Sequence, residues 1–396
     1  MKILYYSPHP HLRIEDQTGY GTHMREMIAA FKMLGHNVDF LIAGHRAIPA
    51  KEMQGSNTQS LVKEVLKFLI PRLIWETIKD LQLIRVDRTN KRHLNRLVNE
   101  LHPDVIYERS HYGMVSGVEV ANIHGIHHIL EVNCPNVEER IKLSGNSLLT
   151  RRATHMDRWA FSNTDHVLTV SAHLAKHLEI HNIAKKWSVT ANAIRLGQQE
   201  ESTLNVTRHS MSIDESTVLL GFVGSIFPWH GVDLIVDAVA NFHKKGRNVE
   251  AMIVGDGEIR QELKEKSVTL GVKHKIHFVG SVPQRDTFVY TQLCDILIMP
   301  KSNAYGSPVK IFEYALSVKP CIVPNTSPVT EVFEHEQDGW VVDSRLNAIV
   351  SAIESIIDSP EDAKKCANNW CQKVTSKHTW TTNASIALDI DPQPIS

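Results

Sequence analysis

Short apolar runs recur along the chain, and each is followed by a polar or glycine-bearing loop and then by a helical pattern. In the first half these runs cover residues 3–6, 38–42, 105–107, 129–133, 167–170 and 188–191. In the second half they cover residues 218–223, 251–254, 276–279, 296–299 and 321–323. Runs this short, alternating with helices, are typical of buried parallel strands. The pattern predicts an α/β protein with two Rossmann-like, doubly wound domains.

A polar, irregular stretch at residues 197–210 interrupts this alternation. We place the domain boundary there, with a first domain over residues 1–196 and a second from residue 197 to about residue 375. A chain of 396 residues is long enough for each half to bury its own core. We expect the two domains to face each other across a cleft, because ligands of such sheets bind at the carboxyl ends of the strands.

The loop after the first strand carries Gly19 and Gly21, and we expect a helix from His23 to Leu34 that opens at about Thr22. Two glycines allow the backbone to approach a bound group at the end of the strand. The third glycine of the dinucleotide-binding fingerprint is missing, so this loop does not by itself indicate a dinucleotide.

A wide apolar stripe with helical spacing runs through residues 60–85, and Pro71 should kink or divide it. The stripe predicts a helical insertion in the first domain. One interpretation is that its apolar side contacts a membrane surface or a lipid acceptor. The other is a helical pair that packs on the domain, which the mixed rather than basic charges favour.

The stretch 303–324 reads as a turn, a short helix and a buried strand. Ser307 and Pro308 suit the N-cap and the first position of that helix. Lys310 then lies in the first turn, where the partial positive charge of the helix end disfavours a cation. A phosphate bound there would reverse this preference. The alternative is a surface ion pair between Lys310 and Glu313, one turn later.

Polar side chains also end two strands of the first half. Glu131 and Asn133 point to the same face, because strand side chains alternate with a period of two. Arg109 follows the strand at residues 105–107. Such residues either face a cleft or form a satisfied polar group that caps the next loop.

The amino-acid composition and the lengths of the apolar runs argue against several classes of protein. The 43 basic and 44 acidic residues nearly cancel, which argues against nucleic acid as the main partner. Five scattered cysteines favour buried thiols in a reducing compartment. No apolar run reaches the roughly 18 residues of a membrane span, and the N-terminal run is too short for a signal peptide. The 23 histidines lack a supporting ligand cluster. We expect a cytoplasmic protein that needs no bound metal or other cofactor.

Several segments of the second half resemble, in order and spacing, the nucleotide-sugar domain of retaining GT-B glycosyltransferases of the family 4 group. These segments read GFVGSIFPWHGVDLIVDA, IVGDGEIRQEL, IHFVGSVP and SPVKIFEYALSVKPCIVP. In the first half, VIYERSHY, ILEVNCPNVEER and DHVLTVSAHL are similar to a bacterial subgroup. The resemblance covers about residues 1–339. It implies a donor-binding second domain, an acceptor-presenting first domain, and a C-terminal segment 376–396 that crosses back through a helix at 380–388.

The resemblance also implies site residues. Lys310 would contact the diphosphate and Glu313 the ribose hydroxyls. The other expected donor-binding residues are Gly224, Ser225, His230, Gly255, Asp256, Tyr305, Gly306 and Ser307. The expected acceptor-side residues are Gly19, Gly21, Arg109, Glu131 and Asn133. We assign catalytic contributions to Lys310, His230, Glu131 and Asn133, because a leaving diphosphate needs cations and oriented dipoles to stabilise its charge.

The chain departs from the family pattern at four places. The family typically has two glutamates, separated by seven residues, just before and inside the helix that carries Lys310. Glu313 matches the second, but Tyr305 stands at the place of the first, and Asn133 stands at the place of a frequent histidine. His230 holds the place of a basic residue, and the usual Asn-Gly-Ile-Asp junction reads Asn-Ala-Ile-Arg at residues 192–195. These departures concern sugar handling rather than the donor class.

The function implied is retaining transfer from a nucleoside diphosphate sugar to a glycan or lipid-linked acceptor, in bacterial surface polysaccharide or glycoconjugate synthesis. Two other classes stay open. One is a GT-B nucleotide-sugar epimerase, and the other is a non-catalytic sugar-nucleotide-binding partner subunit. The sugar, the base and the acceptor are not fixed by the residues.

Overall fold

The computed structural model describes residues 1–16, 18–46, 70–197 and 202–390. The chain divides into two compact units, one formed by Met1–Thr190 with Ala384–Ser396 and the other by Ala191–Asn383. Each unit is built on a six-stranded sheet whose paired strands all run parallel. The prediction of two Rossmann-like α/β domains is confirmed.

The sheet of the first unit has the order β2-β1-β3-β4-β5-β6. Its strands are β1 (Lys2–Ser7), β2 (Asn37–Ile42), β3 (Val105–Arg109), β4 (His127–Val132), β5 (His166–Thr169) and β6 (Trp187–Val189). The strand order reverses between β1 and β3, and the loops after these strands lie at this switch point, where open α/β sheets bind ligands.

Seven described helices accompany this sheet. They are α1 (Gly19–Met33), α2 (Arg72–Leu101), α3 (Ser116–His124), α4 (Asn136–Ser144), α5 (Thr150–Asn163), α6 (Ala172–His177) and α7 (Ile180–Ile183). The predicted start of α1 at about Thr22 is wrong. Thr18 caps the helix, its hydroxyl accepting a hydrogen bond from the Gly21 amide at 3.4 Å, so both glycines lie inside the first turn.

The predicted insertion at residues 60–85 is described only in its second part. Residues 47–69 lie outside the described residues. Pro71 immediately precedes α2, and the part of the predicted stripe before it lies outside the described residues, apart from Ile70. No helix in the described ranges has both the length and the hydropathy that crossing a bilayer requires.

The sheet of the second unit has the order β12-β11-β10-β7-β8-β9. Its strands are β7 (Val218–Val223), β8 (Val249–Val254), β9 (Ile276–Gly280), β10 (Ile296–Ile298), β11 (Cys321–Pro324) and β12 (Trp340–Val342). β12 was not predicted, and its run of three residues forms a strand beside β11. It pairs with β11, with Ile322 opposite Trp340.

The helices of this unit are α8 (Asp233–Lys244), α9 (Arg260–Thr269), α10 (Thr287–Leu293), α11 (Val309–Ala315), α12 (Ser327–Thr330), α13 (Leu346–Asp358) and α14 (Pro360–Lys377). Two buried apolar clusters hold them on the sheet, one around Phe222 and Phe242 and the other around Phe312 and Trp370. The expected helix at 380–388 is present as α15 (Trp380–Leu388), and its residues from Ala384 onward group with the first unit.

Candidate active site

The carboxyl ends of β7, β8 and β9 form a floor of closely packed backbone. The Gly224 amide donates to the Val254 carbonyl at 2.9 Å, and the Gly255 amide donates to the Gly280 carbonyl at 2.8 Å. Gly224 and Gly255 have φ angles of 144° and 129°, which L side chains rarely adopt. A Cβ on Gly255 would lie 2.0 Å from the Gly224 carbonyl oxygen. Only glycine fits here, and the strand ends therefore present bare backbone.

Asp256 fixes the loop that follows this floor. Its backbone carbonyl accepts from the Ile226 amide at 2.9 Å. Its carboxylate accepts from the Gly257 amide at 2.8 Å and from the Arg260 guanidinium at 3.2 Å. The acid predicted to touch the donor is thus engaged by its own loop and by the first turn of α9.

His230 ends a short 3-10 turn, Pro228–His230, after β7. Its Nδ1 donates a hydrogen bond to the Ser225 carbonyl oxygen at 2.6 Å. Burial, with a smaller contribution from the charge of Lys310, lowers the pKa of His230 to about 4. The ring is therefore neutral at physiological pH, and it braces the loop that carries Ser225.

The segment before α11 is held differently from the prediction. The helix begins at Val309, one residue later than expected, and no side chain caps it. The N-cap prediction for Ser307 is wrong, because its hydroxyl accepts from the backbone amide of Asn192 at 2.9 Å. The Asn192 side-chain amide also donates to the Ser307 carbonyl. Ser307 is therefore tied to the segment that follows β6.

Lys310 lies in the first turn of α11 and points under the backbone floor. Its Nζ is 4.6 Å from the centroid of the Phe222 ring, a cation–π distance. A Cβ on Gly224 would lie only 3.0 Å from that Nζ. The residue is half-buried, but its Nζ is enclosed and makes no hydrogen bond within the described part of the chain. Buried polar groups are nearly always paired, so this amine is an exception that needs a reason.

Glu313 does not supply the missing partner. Its carboxylate accepts from the Gln284 side-chain amide at 3.2 Å, and Lys310 Nζ makes no hydrogen bond to it. Burial lowers the pKa of Lys310 to about 7, and the charge of Glu313 opposes this shift only partly. An anion bound beside Nζ would restore the ammonium form.

Tyr314 anchors α11 beneath this site, although the sequence did not indicate it as a site residue. Its hydroxyl accepts from the Val223 amide at 2.9 Å and lies 3.3 Å from the Val223 carbonyl oxygen. The only sequence signal was its position one turn after Lys310. Tyr305 and Gly306 lie in the turn before the helix, where the Gly306 amide donates to the Asn303 side chain at 2.7 Å.

The first unit holds a second polar cluster, centred on Glu131. The Arg109 guanidinium donates to its Oε1 at 2.8 Å, and the Tyr107 hydroxyl donates to its Oε2 at 2.6 Å. The Asn133 side-chain amide also donates to Oε1, and the His23 ring nitrogen lies 3.5 Å from it. The structure brings Arg109, Glu131 and Asn133 together. Both carboxylate oxygens are occupied, as in the satisfied polar group that the sequence left open.

The charges within this cluster balance. Burial alone would raise the pKa of Glu131, but the charges of its neighbours and its hydrogen bonds hold that pKa below its usual range. Burial lowers the pKa of His23 to about 4, so Arg109 supplies the positive charge at neutral pH. His23 lies on α1, two residues after Gly21, and no sequence pattern indicated it as a site residue. A Cβ on Gly21 would meet the Asp16 carbonyl oxygen at 2.1 Å, whereas one on Gly19 would meet nothing within 4 Å.

Comparisons with known proteins assign both halves of the chain. Residues 206–372 match the family model described as Glycosyl transferases group 1, and residues 18–198 match the model described as Glycosyltransferase Family 4. The chain carries two glycosyltransferase domains in the GT-B fold. Anabaena HepE in complex with UDP aligns with a TM-score of 0.71 at 15% identity, over 98% of this chain and 99% of that one.

Other relatives of these glycosyltransferase domains come from several organisms. Sucrose-phosphate synthase from Thermosynechococcus elongatus aligns with a TM-score of 0.71 at 15% identity, over 98% of this chain and 96% of that one. The alpha-D-kanosaminyltransferase of Streptomyces kanamyceticus is 23% identical over 43% of this chain and 44% of its own length. An Escherichia coli UDP-Gal:alpha-D-GlcNAc-diphosphoundecaprenol alpha-1,3-galactosyltransferase is 26% identical over 45% of each. The chain spans about half the length of the curated relatives it matches.

Proposed function

We propose that this protein transfers a sugar from a nucleoside diphosphate sugar to a glycan or lipid-linked acceptor, with retention of anomeric configuration and without a metal ion. The observation that carries the proposal is Lys310, whose enclosed amine has no hydrogen-bond partner among the described residues. It lies at a helix start and beside the bare backbone of Gly224. A diphosphate is the kind of ligand that such a cation and helix end favour together.

In the proposed reaction, the bond between the anomeric carbon and the β-phosphate oxygen breaks and negative charge develops on the diphosphate. Lys310 and the N-terminus of α11 would stabilise this charge as it forms. The backbone around Gly224 and Ser225, braced by the neutral His230, would line the phosphates. Glu313 would accept hydrogen bonds from the ribose hydroxyls. The acceptor hydroxyl would attack from the face that the diphosphate leaves and give its proton to a phosphate oxygen.

The second polar cluster has a positioning role in this proposal. Both oxygens of Glu131 are engaged within the first unit, so Glu131 would act by orienting Arg109 and Asn133. These two side chains, with the opening turn of α1 at Gly19 and Gly21, would present the acceptor. Lys310 and His230 would act on the donor.

Uridine is the base we propose, because Anabaena HepE was solved with UDP and with UDP-glucose. The relative from Escherichia coli is named for a diphosphoundecaprenol-linked acceptor, which supports a lipid-linked or polysaccharide acceptor here. A cytoplasmic site of action follows from the donor, since nucleotide sugars are made in that compartment.

The test is a thermal-shift screen of nucleoside diphosphate sugars, followed by product analysis. A ligand at a hundredfold excess over its Kd adds about 2.7 kcal/mol to the free energy of unfolding. We expect a UDP-sugar to raise the melting temperature and to yield a product whose anomeric proton coupling matches that of the donor. Activity should survive chelation of divalent metals. Donor binding with no transfer to any acceptor would contradict the proposal and favour a non-catalytic partner subunit, and epimer formation without an acceptor would favour an epimerase.

A further inference from the structure

The N-terminal part of helix α2, up to about Asn90, is amphipathic in the opposite sense to an ordinary surface helix. The stripe that faces the unit carries polar residues, each at most 8% exposed: Glu76, Asp80, Asp87 and Asn90. The opposite side carries aliphatic residues that are 37–47% exposed: Leu73, Ile74, Ile78 and Leu81. Surface helices normally place their apolar stripe toward the core. At these four residues the apolar stripe predicted from the sequence faces outward, and the interpretation that it packs on the domain is wrong for them.

Hydrogen bonds fix this orientation of α2. The Arg140 guanidinium donates to Glu76 at 2.7 Å and to Asp80 at 2.9 Å. The Tyr112 hydroxyl donates to Asp80 at 2.7 Å, and Asp87 accepts from the Val115 amide at 3.2 Å. Because the inward carboxylates are paired, rotating the helix to bury its aliphatic stripe would break these hydrogen bonds and leave the Arg140 guanidinium without its carboxylate partners.

The end of α4 and the loop that follows it enlarge the aliphatic surface. Leu143, near the end of α4, and Leu148, in the loop, are 66% and 68% exposed. The Arg72 guanidinium donates to the Ser144 carbonyl at 3.2 Å, and the Leu148 amide donates to the Thr77 hydroxyl at 3.0 Å. These bonds hold the loop beside the first turns of α2. We call these six exposed aliphatic residues of α2, the end of α4 and the loop after it the docking face.

Cations continue the docking face along α2. Ile74, Ile78 and Leu81 are followed, at alternating spacings of three and four residues, by exposed arginines on the same side of the helix: Arg85, Arg88 and Arg92. All three carboxylates of residues 72–92 are buried, so this side of that stretch presents no negative charge. Lys142, near the end of α4, is exposed before the neighbouring loop, and Arg151 and Arg152, at the start of α5, are exposed after it.

We propose that the docking face binds the surface of an anionic lipid bilayer. The aliphatic side chains would enter the boundary between headgroups and acyl chains, and the arginines would contact the phosphates of the headgroups. A second copy of this chain fits less well, because a two-fold interface is self-complementary and residues 72–92 of this surface offer cations without outward carboxylates. A nucleic acid would leave the aliphatic residues unused. The inference rests on the first unit alone and does not depend on the proposed transfer reaction.

The experiment is flotation of the full chain with vesicles of phosphatidylcholine alone and of phosphatidylcholine mixed with phosphatidylglycerol. We expect binding to the mixed vesicles, weakened by high salt because the arginine contribution is screened. The variant Ile74→Ser with Leu81→Ser should lose at least about tenfold in vesicle affinity, since it removes two inserted side chains. The variant Arg85→Glu with Arg88→Glu should lose at least about tenfold on mixed vesicles.

The matched control is Met33→Ser with Ile123→Ser, two residues of the same unit that are 60% and 64% exposed. It should bind vesicles like the unchanged chain. UDP binding, measured by calorimetry, should be the same in all three double variants, so a failed membrane proposal is distinguishable from a failed donor site. Equal vesicle binding by every variant would overturn the inference, as would no binding by the unchanged chain. A loss of dimer mass in Ile74→Ser with Leu81→Ser, without vesicle binding, would assign the face to a second copy.

Discussion

The two units end their sheets in polar clusters of opposite character. In the first unit, Glu131 is a buried charge with both oxygens occupied and Arg109 2.8 Å away. In the second, the amine of Lys310 is equally enclosed but makes no hydrogen bond to any described residue. A complete network stabilises its own unit, whereas an incomplete one costs stability until something binds. Other buried side-chain atoms of the described residues, such as the hydroxyls of Tyr5 and Ser7 in the first unit, also lack a hydrogen bond, so the comparison concerns these two charged groups.

The largest expected effect comes from Lys310→Met, which removes the enclosed amine of the second unit that makes no hydrogen bond to a described residue. Turnover should fall on the order of 10²–10³-fold, as when a preorganised charge-stabilising group is lost. The melting temperature should stay equal or rise, because the variant no longer buries an unpartnered amine. The measurement is steady-state transfer with thermal unfolding, and the control is Lys244→Met, which alters an exposed lysine on α8. Normal turnover in Lys310→Met would remove the basis of the proposed site.

The next largest effect tests the hydrogen-bonded cluster of Glu131 in the first unit. Glu131→Gln leaves Arg109 buried without a counter-charge, and removing one partner of a buried pair costs roughly 3–5 kcal/mol. Urea unfolding should therefore show a lower midpoint with an unchanged slope.

The matched control for that variant is Glu179→Gln, which breaks an exposed pair with Arg158 at 2.7 Å. Its unfolding midpoint should barely move, because exposed pairs contribute little. Equal effects of the two substitutions would mean that the Glu131 cluster is not a structural framework.

Glu313→Gln should have a smaller effect, confined to nucleotide binding. Losing the charge of a ribose-accepting carboxylate should weaken UDP affinity about tenfold, or roughly 1.4 kcal/mol. Calorimetry with UDP and with a UDP analogue lacking the ribose hydroxyls gives the comparison. The unchanged chain and the variant should bind the analogue equally, and a loss of the same size for both ligands would point away from the ribose.

The smallest expected effect is the uptake of a proton by Lys310 when UDP binds. The pKa of Lys310 is about 7 in the folded chain, against an ordinary value of 10.5. Between these values the unfolded chain binds more protons than the folded one, so this group makes stability rise with pH across the window. A bound diphosphate would raise the pKa again. UDP binding near pH 8 should take up close to one proton, seen as a dependence of the calorimetric enthalpy on the buffer, and Lys310→Met should take up none.

Much of the fold was predictable because its strands are short apolar runs between helical patterns. The elements that escaped depend on single contacts. The start of α1 is set by the Thr18 hydroxyl, and the start of α11 follows from a hydroxyl of Ser307 that Asn192 occupies. β12 exists because β11 offers an edge to pair with. None of these contacts leaves a periodic signal in the sequence.

The candidate site divides in the same way. Lys310, Glu313 and Glu131 could be singled out from the sequence. A cation in the first turn of a helix is disfavoured without an anion, and a polar residue that ends a buried strand needs a partner or a cleft. Their partners could not be singled out, since His23 and Tyr107 reach Glu131 only through the fold. The outward turn of the aliphatic stripe on α2 was also hidden, because periodicity identifies two faces of a helix but not which one is buried.

The central claim is that Lys310 is kept without a protein partner to hold the donor diphosphate. The most direct measurement is calorimetric binding of UDP and of uridine to the unchanged chain and to Lys310→Met. We expect the substitution to weaken UDP binding by at least about tenfold and to leave uridine binding unchanged, because only UDP carries the phosphates that would contact Nζ. Equal losses for both ligands, or no loss for UDP, would contradict the claim.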